Sequence, residues 1–186
     1  LYYSPYRQEV YNDSLKDARP GFQITQFLMV NVADDAKQAL LPVKAMIGFY
    51  IGGMGSKKRN FHMELMGRMG FEDEARKIQE LFFEGKREEA IAVVPDQFAD
   101  EISLCGPLER IRDRLEAWKE SPVTTLLLAT QDLPNFPTWL EKVLDYFADT
   151  HHAAAKGHFA NLNVSPVDCP RPHHVPPGQI TKRNVQ

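Results

Sequence analysis

Between Tyr50 and His62 the chain gathers the side chains best suited to meet a ligand. Tyr50 is followed by Gly52-Gly53-Met54-Gly55, then by Lys57, Lys58 and Arg59, then by Asn60-Phe61-His62. Upstream, Val43, Met46, Ile47 and Tyr50 recur at helical spacing, so the stretch reads as a helix, a flexible stop and a cationic turn. Free backbone amides beside clustered positive charge suit an anionic group. Gly52, Gly53, Met54, Gly55, Lys57 and Arg59 are therefore candidates to hold an anionic cofactor tail. Tyr50, Asn60 and His62 are candidates for the wall of an adjoining substrate pocket. The plainer reading of the same residues is a helix C-terminus with a loose turn, and of His62 a structural histidine near a helix start.

Two familiar phosphate loops are excluded. A P-loop needs a strand ahead of it and a glycine directly before Lys-Ser/Thr, whereas an amphipathic helix precedes this stretch and Lys57 is followed by Lys58. The dinucleotide fingerprint fails because Lys58 stands where its third glycine belongs. No Cys/His spacing of a structural zinc site occurs, and no Ser-His-Asp or Cys-His set can be assembled, so no metal ligands and no catalytic residues are assigned. Arg110, Arg112 and Arg114, set among carboxylates, read as a solvated helix face. The helix start at Gly106-Pro107 could offer free amides to a phosphate. Trp118 and Trp139 sit at core spacing and read as packing.

The bulk numbers fit one ordinary domain. With 186 residues, 43% of them hydrophobic, the chain can build a core. A net charge of -3 gives no electrostatic case for nucleic acid or an anionic membrane. No apolar run is long enough to span a bilayer, and no secretory leader opens the chain. Cys105 and Cys169 lie far apart, which suits a reducing, cytoplasmic setting.

The elements that must position the candidate site come in a recognisable order. Leu1-Tyr2-Tyr3 look like the end of a strand, and a short helix follows within 7–16. Phe22–Val32 reads as a buried strand whose first residues can be loop. Asp34 or Asp35 caps the helix that carries Tyr50, and Pro42 inside it predicts a kink or break. Helices follow over 61–69, 72–84, 87–94 and from Pro95 through Phe98 and Ile102, then from Gly106-Pro107 to Ser121. Val123–Ala129 reads as a second strand covered on both faces, and Trp139 to Phe147 as a last helix. Residues 150–186 carry five of the thirteen prolines and few large aliphatics, and read as an irregular or disordered tail after a domain of 1–149. Two parallel strands bury too little to make a domain, and the chain starts in mid-pattern; both features lead to the expectation of a C-terminal part of a longer protein.

Four stretches carry a family resemblance: YYSPYRQEVY at 2–11, AMIGFYIGGMG at 45–55, NFHMELMGRMGFEDEARKIQELFFEGKREEAIAVVPD at 60–96 and GPLERIRDRLEAWKESPVTTLLL at 106–128. In that order they resemble the coenzyme F420-dependent branch of the luciferase-like oxidoreductases. The resemblance implies an α/β fold, the C-terminal part of a (β/α)8 TIM barrel, with Phe22–Val32 as the seventh strand, Val123–Ala129 as the eighth and a helical insertion between them over the barrel mouth. It implies hydride transfer between reduced deazaflavin coenzyme F420 and a small organic substrate, with ring-binding strands ahead of Leu1, this chain alone inactive, and a homodimer for the full-length protein. FMN with oxygen, as in the flavin monooxygenases of the superfamily, is the alternative chemistry. A non-catalytic half-barrel that binds a partner is the alternative class.

Overall fold

The computed structural model describes residues 2–55, 59–130, 139–143 and 145. Tyr2 to Ser4 form no strand; they run buried into a 3-10 turn at Gln8–Tyr11 and the short helix α1 (Asn12–Leu15). Strand β1 (Thr25–Val32) begins after the loop that its polar first residues allow. Helix α2 (Ala36–Gly53) starts on Asp35, whose carboxylate accepts from the amides of Lys37 at 2.8 Å and Gln38 at 3.4 Å.

Of the kink or break expected at Pro42, the break does not occur: α2 runs 18 residues through it. Ala39, Leu40, Val43 and Ile47, on both sides of the proline, are buried in one core cluster. That shared burial keeps the helix continuous although one backbone bond is lost.

After α2 come α3 (Phe61–Met66), a π-turn at Gly67–Phe71 with Gly70 at φ 91°, α4 (Glu72–Phe83), α5 (Arg87–Val93) and α6 (Asp96–Glu101). Gly85, at φ 80°, ends α4 as expected, with Lys86 N donating to Leu81 O and Gly85 N to Phe82 O.

Strand β2 (Ser103–Gly106) follows, where the sequence pattern predicts instead the end of one helix and the start of the next. Four residues with every side chain buried give no alternation to read. Helix α7 (Leu108–Glu120) leads to β3 (Thr125–Ala129). Residues 139–143 are helical, with Trp139 and Val143 buried; the tail from 150 on lies outside the described residues.

The strands form one parallel sheet in the order β2-β1-β3. Strand β1 pairs β3 from Thr25↔Thr125 to Met29↔Ala129, and β2 from Met29↔Ser103 to Val32↔Gly106. Its two halves thus bond opposite neighbours. Leu28, Val30, Leu104 and Leu126 face a cluster with Ile111, Leu115 and Trp118 of α7. Met29 and Cys105 face the larger cluster built by α2 through α6. Asn31, buried in β1, donates to Ala39 O at 3.2 Å and accepts from Thr130 Oγ1 at 3.3 Å, which pins the start of α2 over the sheet.

Candidate functional site

The candidate residues meet where α2 ends and α3 begins, and Asn60 makes that junction. Its Oδ1 accepts from the amides of His62 at 3.0 Å and Met63 at 3.2 Å, capping α3. Its Nδ2 donates to Tyr50 O at 3.3 Å and Ile51 O at 2.6 Å, carbonyls that the last turn of α2 leaves without helical partners. One carboxamide therefore clips two helix ends together. Expected as a pocket wall, Asn60 is buried with four hydrogen bonds already made, and its observed role is to hold Tyr50 beside His62.

The glycines divide into two groups. A Cβ on Gly52 would lie 2.2 Å from the Phe82 ring, and one on Gly53 would lie 2.9 Å from it. One on Gly48 would lie 3.1 Å from Ile91. These are close-approach positions where α4 and α5 press on α2, not a loose stop. Gly55 is different: it has φ 140°, and it lies against Arg59 and Asn60. Met54, Gly55 and Arg59 are exposed at the turn; Lys57 lies outside the described residues.

Around the junction the rings interlock. His62 lies 4.9 Å from Tyr50, 5.3 Å from Tyr2 and 3.9 Å from Phe61, centroid to centroid. Tyr2 also meets Phe98 of α6 edge-on at 5.5 Å. Tyr2 and His62 are each 1% exposed, Tyr50 is half-buried and Phe61 is 61% exposed. Burial lowers the His62 pKa below its ordinary 6.5, so the ring is neutral at pH 7. Burial, with Tyr50 nearby adding to it, pushes the Tyr2 phenol well up, so it keeps its proton. Among the described residues, neither Tyr2 Oη nor His62 Nδ1 has a hydrogen-bond partner.

A second polar cluster sits at the end of α6. Glu101 accepts from Arg7 Nε at 2.6 Å, Arg7 Nη2 at 2.9 Å, Gln97 Nε2 at 2.9 Å and Ser4 Oγ at 3.1 Å. Burial alone would raise its pKa, but the hydrogen bonds from Arg7, Gln97 and Ser4 outweigh it and hold the carboxyl low. Asp100 Oδ2 takes Arg110 at 2.7 Å and Arg114 at 3.0 Å. Arg110 and Arg114 are thus partly buried ion-pair partners rather than the solvated face expected of them; Arg112 is exposed. Arg110 also donates to Cys105 O at 2.7 Å, close to the Gly106-Pro107 helix start.

The structure brings Tyr50, Asn60, His62, Gly55 and Arg59 together, as their proximity in sequence requires. It adds Tyr2, which no spacing rule links to a histidine sixty positions on. Cys105 is buried, its thiol pushed up by that burial, as an inert cysteine should be. Among the described residues no group of His, Cys, Asp and Glu could hold a metal ion, and no helix is long and apolar enough to cross a membrane.

A parallel sheet with helices on both faces, and a helical block inserted between its first two strands in sequence, defines an α/β protein. Residues 7–125 match the luciferase-like monooxygenase family model, and the chain belongs to that family. It is 30% identical over 137 residues to a Mycobacterium tuberculosis protein whose name assigns it provisionally to the coenzyme F420-dependent oxidoreductases. That similarity covers 69% of this chain and 40% of the relative's length. A solved structure of the coenzyme F420-dependent tetrahydromethanopterin reductase of Methanopyrus kandleri overlays 60% of this chain and 30% of its own, at 19% identity and a TM-score of 0.46.

Proposed function

We propose that this chain forms part of an oxidoreductase that moves a hydride between reduced coenzyme F420 and a small organic substrate. The observation that carries this reading is the 30% identity over 137 residues to the relative named for that coenzyme. The chain spans about 40% of that relative, so the activity is proposed for the whole protein. Within the barrel of this reading, residues 1–149 form one portion, with β1 and β3 as the seventh and eighth strands. Their direct parallel pairing supports this placement. So do Phe27 and Leu127, exposed side by side in that register, as residues facing a barrel interior would be.

The residues present fit an anionic part of the coenzyme better than its ring. Met54, Gly55 and Arg59 lie open at the turn, and Lys57 adjoins them in sequence. Gly52 and Gly53 are taken up by Phe82 and leave the proposed set of contacts. When bound, the reduced coenzyme supplies the hydride. The chain's own part is to bind the anionic tail, to orient the substrate against Tyr50 and His62, and to exclude water with the surrounding rings. The full-length protein is proposed to act as a cytoplasmic homodimer.

The test is fluorescence titration of coenzyme F420 with the full-length protein. Saturable quenching is expected, weakened about tenfold by Arg59→Ala. No change in fluorescence, together with FMN co-purifying with the protein, would replace this reading with the flavin-dependent one.

A further inference from the structure

Two buried polar atoms at the α2–α3 junction lack partners, and they lie in the same ring cluster. Tyr2 Oη and His62 Nδ1 belong to side chains 1% exposed whose rings are 5.3 Å apart. They do not bond each other, and buried groups of this kind are ordinarily satisfied. The Tyr50 ring is 4.9 Å from His62 and half-buried, and Phe61, stacked on His62 at 3.9 Å, is mostly exposed. The polar pair therefore lies against half-buried Tyr50 and exposed Phe61, near the turn that carries exposed Met54, Gly55 and Arg59.

We propose that Tyr2 Oη and His62 Nδ1, with the Tyr50 ring beside them, form a buried polar subsite that receives one neutral hydrogen-bonding group, a hydroxyl or carbonyl oxygen. The occupant is neutral because, among the described side chains, the recorded neighbours of both rings are aromatic; the N-terminal ammonium acts on His62 only as a lesser cause behind burial, and an ion there would lose its hydration. It is a two-way hydrogen-bonding group because the phenol can donate or accept, and a neutral imidazole nitrogen does one or the other according to tautomer. The group comes either from a bound water or from the hydroxyl or carbonyl of an organic molecule entering past Tyr50 and Phe61. This deepens the substrate-wall reading of Tyr50 and His62, but it concerns the chain's own atoms and is tested without coenzyme.

The experiment is NMR on the 186-residue chain labelled with 15N-histidine, the His62 signals being assigned by their loss in His62→Gln. Phenol is the probe, since it combines one hydroxyl with one ring. A slowly exchanging Tyr2 hydroxyl proton that cross-relaxes with water supports the subsite with water as occupant. A saturable phenol-induced shift of the His62 nitrogens, weakened at least tenfold in Tyr2→Phe, supports it with an organic occupant. Tyr50→Ala, which removes the ring beside the pair, serves as the second variant should Tyr2→Phe fail to fold; it is expected to weaken phenol about threefold. His62 nitrogens that respond neither to phenol nor to Tyr2→Phe, with no protected hydroxyl, overturn the proposal. That outcome would leave the coenzyme titration untouched, and a failed coenzyme titration would leave this result standing.

Discussion

Two joints of this molecule are built from polar groups that the fold buries, and they are finished differently. At the end of α6, Glu101 collects four hydrogen bonds from Arg7, Gln97 and Ser4, and Asp100 collects two arginines through one oxygen. At the α2–α3 junction, Asn60 is saturated, but Tyr2 Oη and His62 Nδ1 in the adjoining ring cluster are not. A satisfied network fixes position, here tying the N-terminal segment and α7 to the entrance of β2. A polar pair left unsatisfied inside an otherwise packed cluster gives up stability and keeps a capacity to bind. The first joint is read as structural and the second as the site for that reason. The first is not perfectly closed: Asp100 Oδ1 and Arg114 Nε are also buried without partners, although the charges they belong to are paired.

The comparison breaks most visibly at Glu101. Glu101→Ala strands the partly buried Arg7 and empties four bonds, and a loss of about 3 kcal/mol is expected, the low end for removing one member of a buried pair. Urea unfolding of the variant measures it; a loss below about 1 kcal/mol would mean that the network is ornamental. Next comes Gly52→Ala. A methyl 2.2 Å from the Phe82 ring must displace that ring or part the helices, with an expected cost of about 2 kcal/mol. Pairing it with Phe82→Ala should recover part of the loss, and a double-mutant cycle reads that coupling.

Asn60 separates capping from clipping. Asn60→Asp keeps the acceptor for α3 but loses both donors to α2, whereas Asn60→Ala loses all four bonds. Losses of roughly 1 and 2 kcal/mol respectively are expected by thermal denaturation. Equal losses would show that the cap on α3 contributes nothing, and an undiminished stability in Asn60→Asp would show the same of the link to α2.

The smallest effects lie in the pH dependence, where the joints should part company. Glu101 has a folded pKa held below its ordinary 4.5. Its contribution is therefore complete above that value and is lost as pH falls through the folded pKa. His62 has a folded pKa below its ordinary 6.5 because burial disfavours the charged ring. The unfolded chain then binds a proton first as pH falls, so stability begins to decline below about 6.5, two units earlier. His62→Gln should flatten the upper part of the stability profile and Glu101→Gln the lower part. An unchanged upper part in His62→Gln would show that His62 is not buried as a neutral ring.

Much of the frame was legible in the residues. The β-branched and apolar runs located β1 and β3, helical spacing located α2, α4 and α7, and the Asp34-Asp35 pair and Gly85 marked a start and a stop. Local chemistry fixes these features: a cap or a positive-φ turn is decided by a few neighbouring atoms. The cluster of candidate residues from Tyr50 to His62 was legible too, since residues within one turn and loop cannot separate far.

Four things needed the tertiary structure. Strand β2 is four buried residues whose extended form is decided by pairing with Met29 to Val32, not by any pattern of its own. Gly52 and Gly53 look like a flexible stop until Phe82, about thirty positions later, is packed against them. Arg110 and Arg114 look like solvated charges until Asp100 is brought beneath them. Tyr2 joined His62 in the same way. Periodicity and capping act over about one helical turn, so the sequence could specify each element and its ends. Which side chain across the core meets a glycine, a carboxylate or a histidine is settled only when the elements pack.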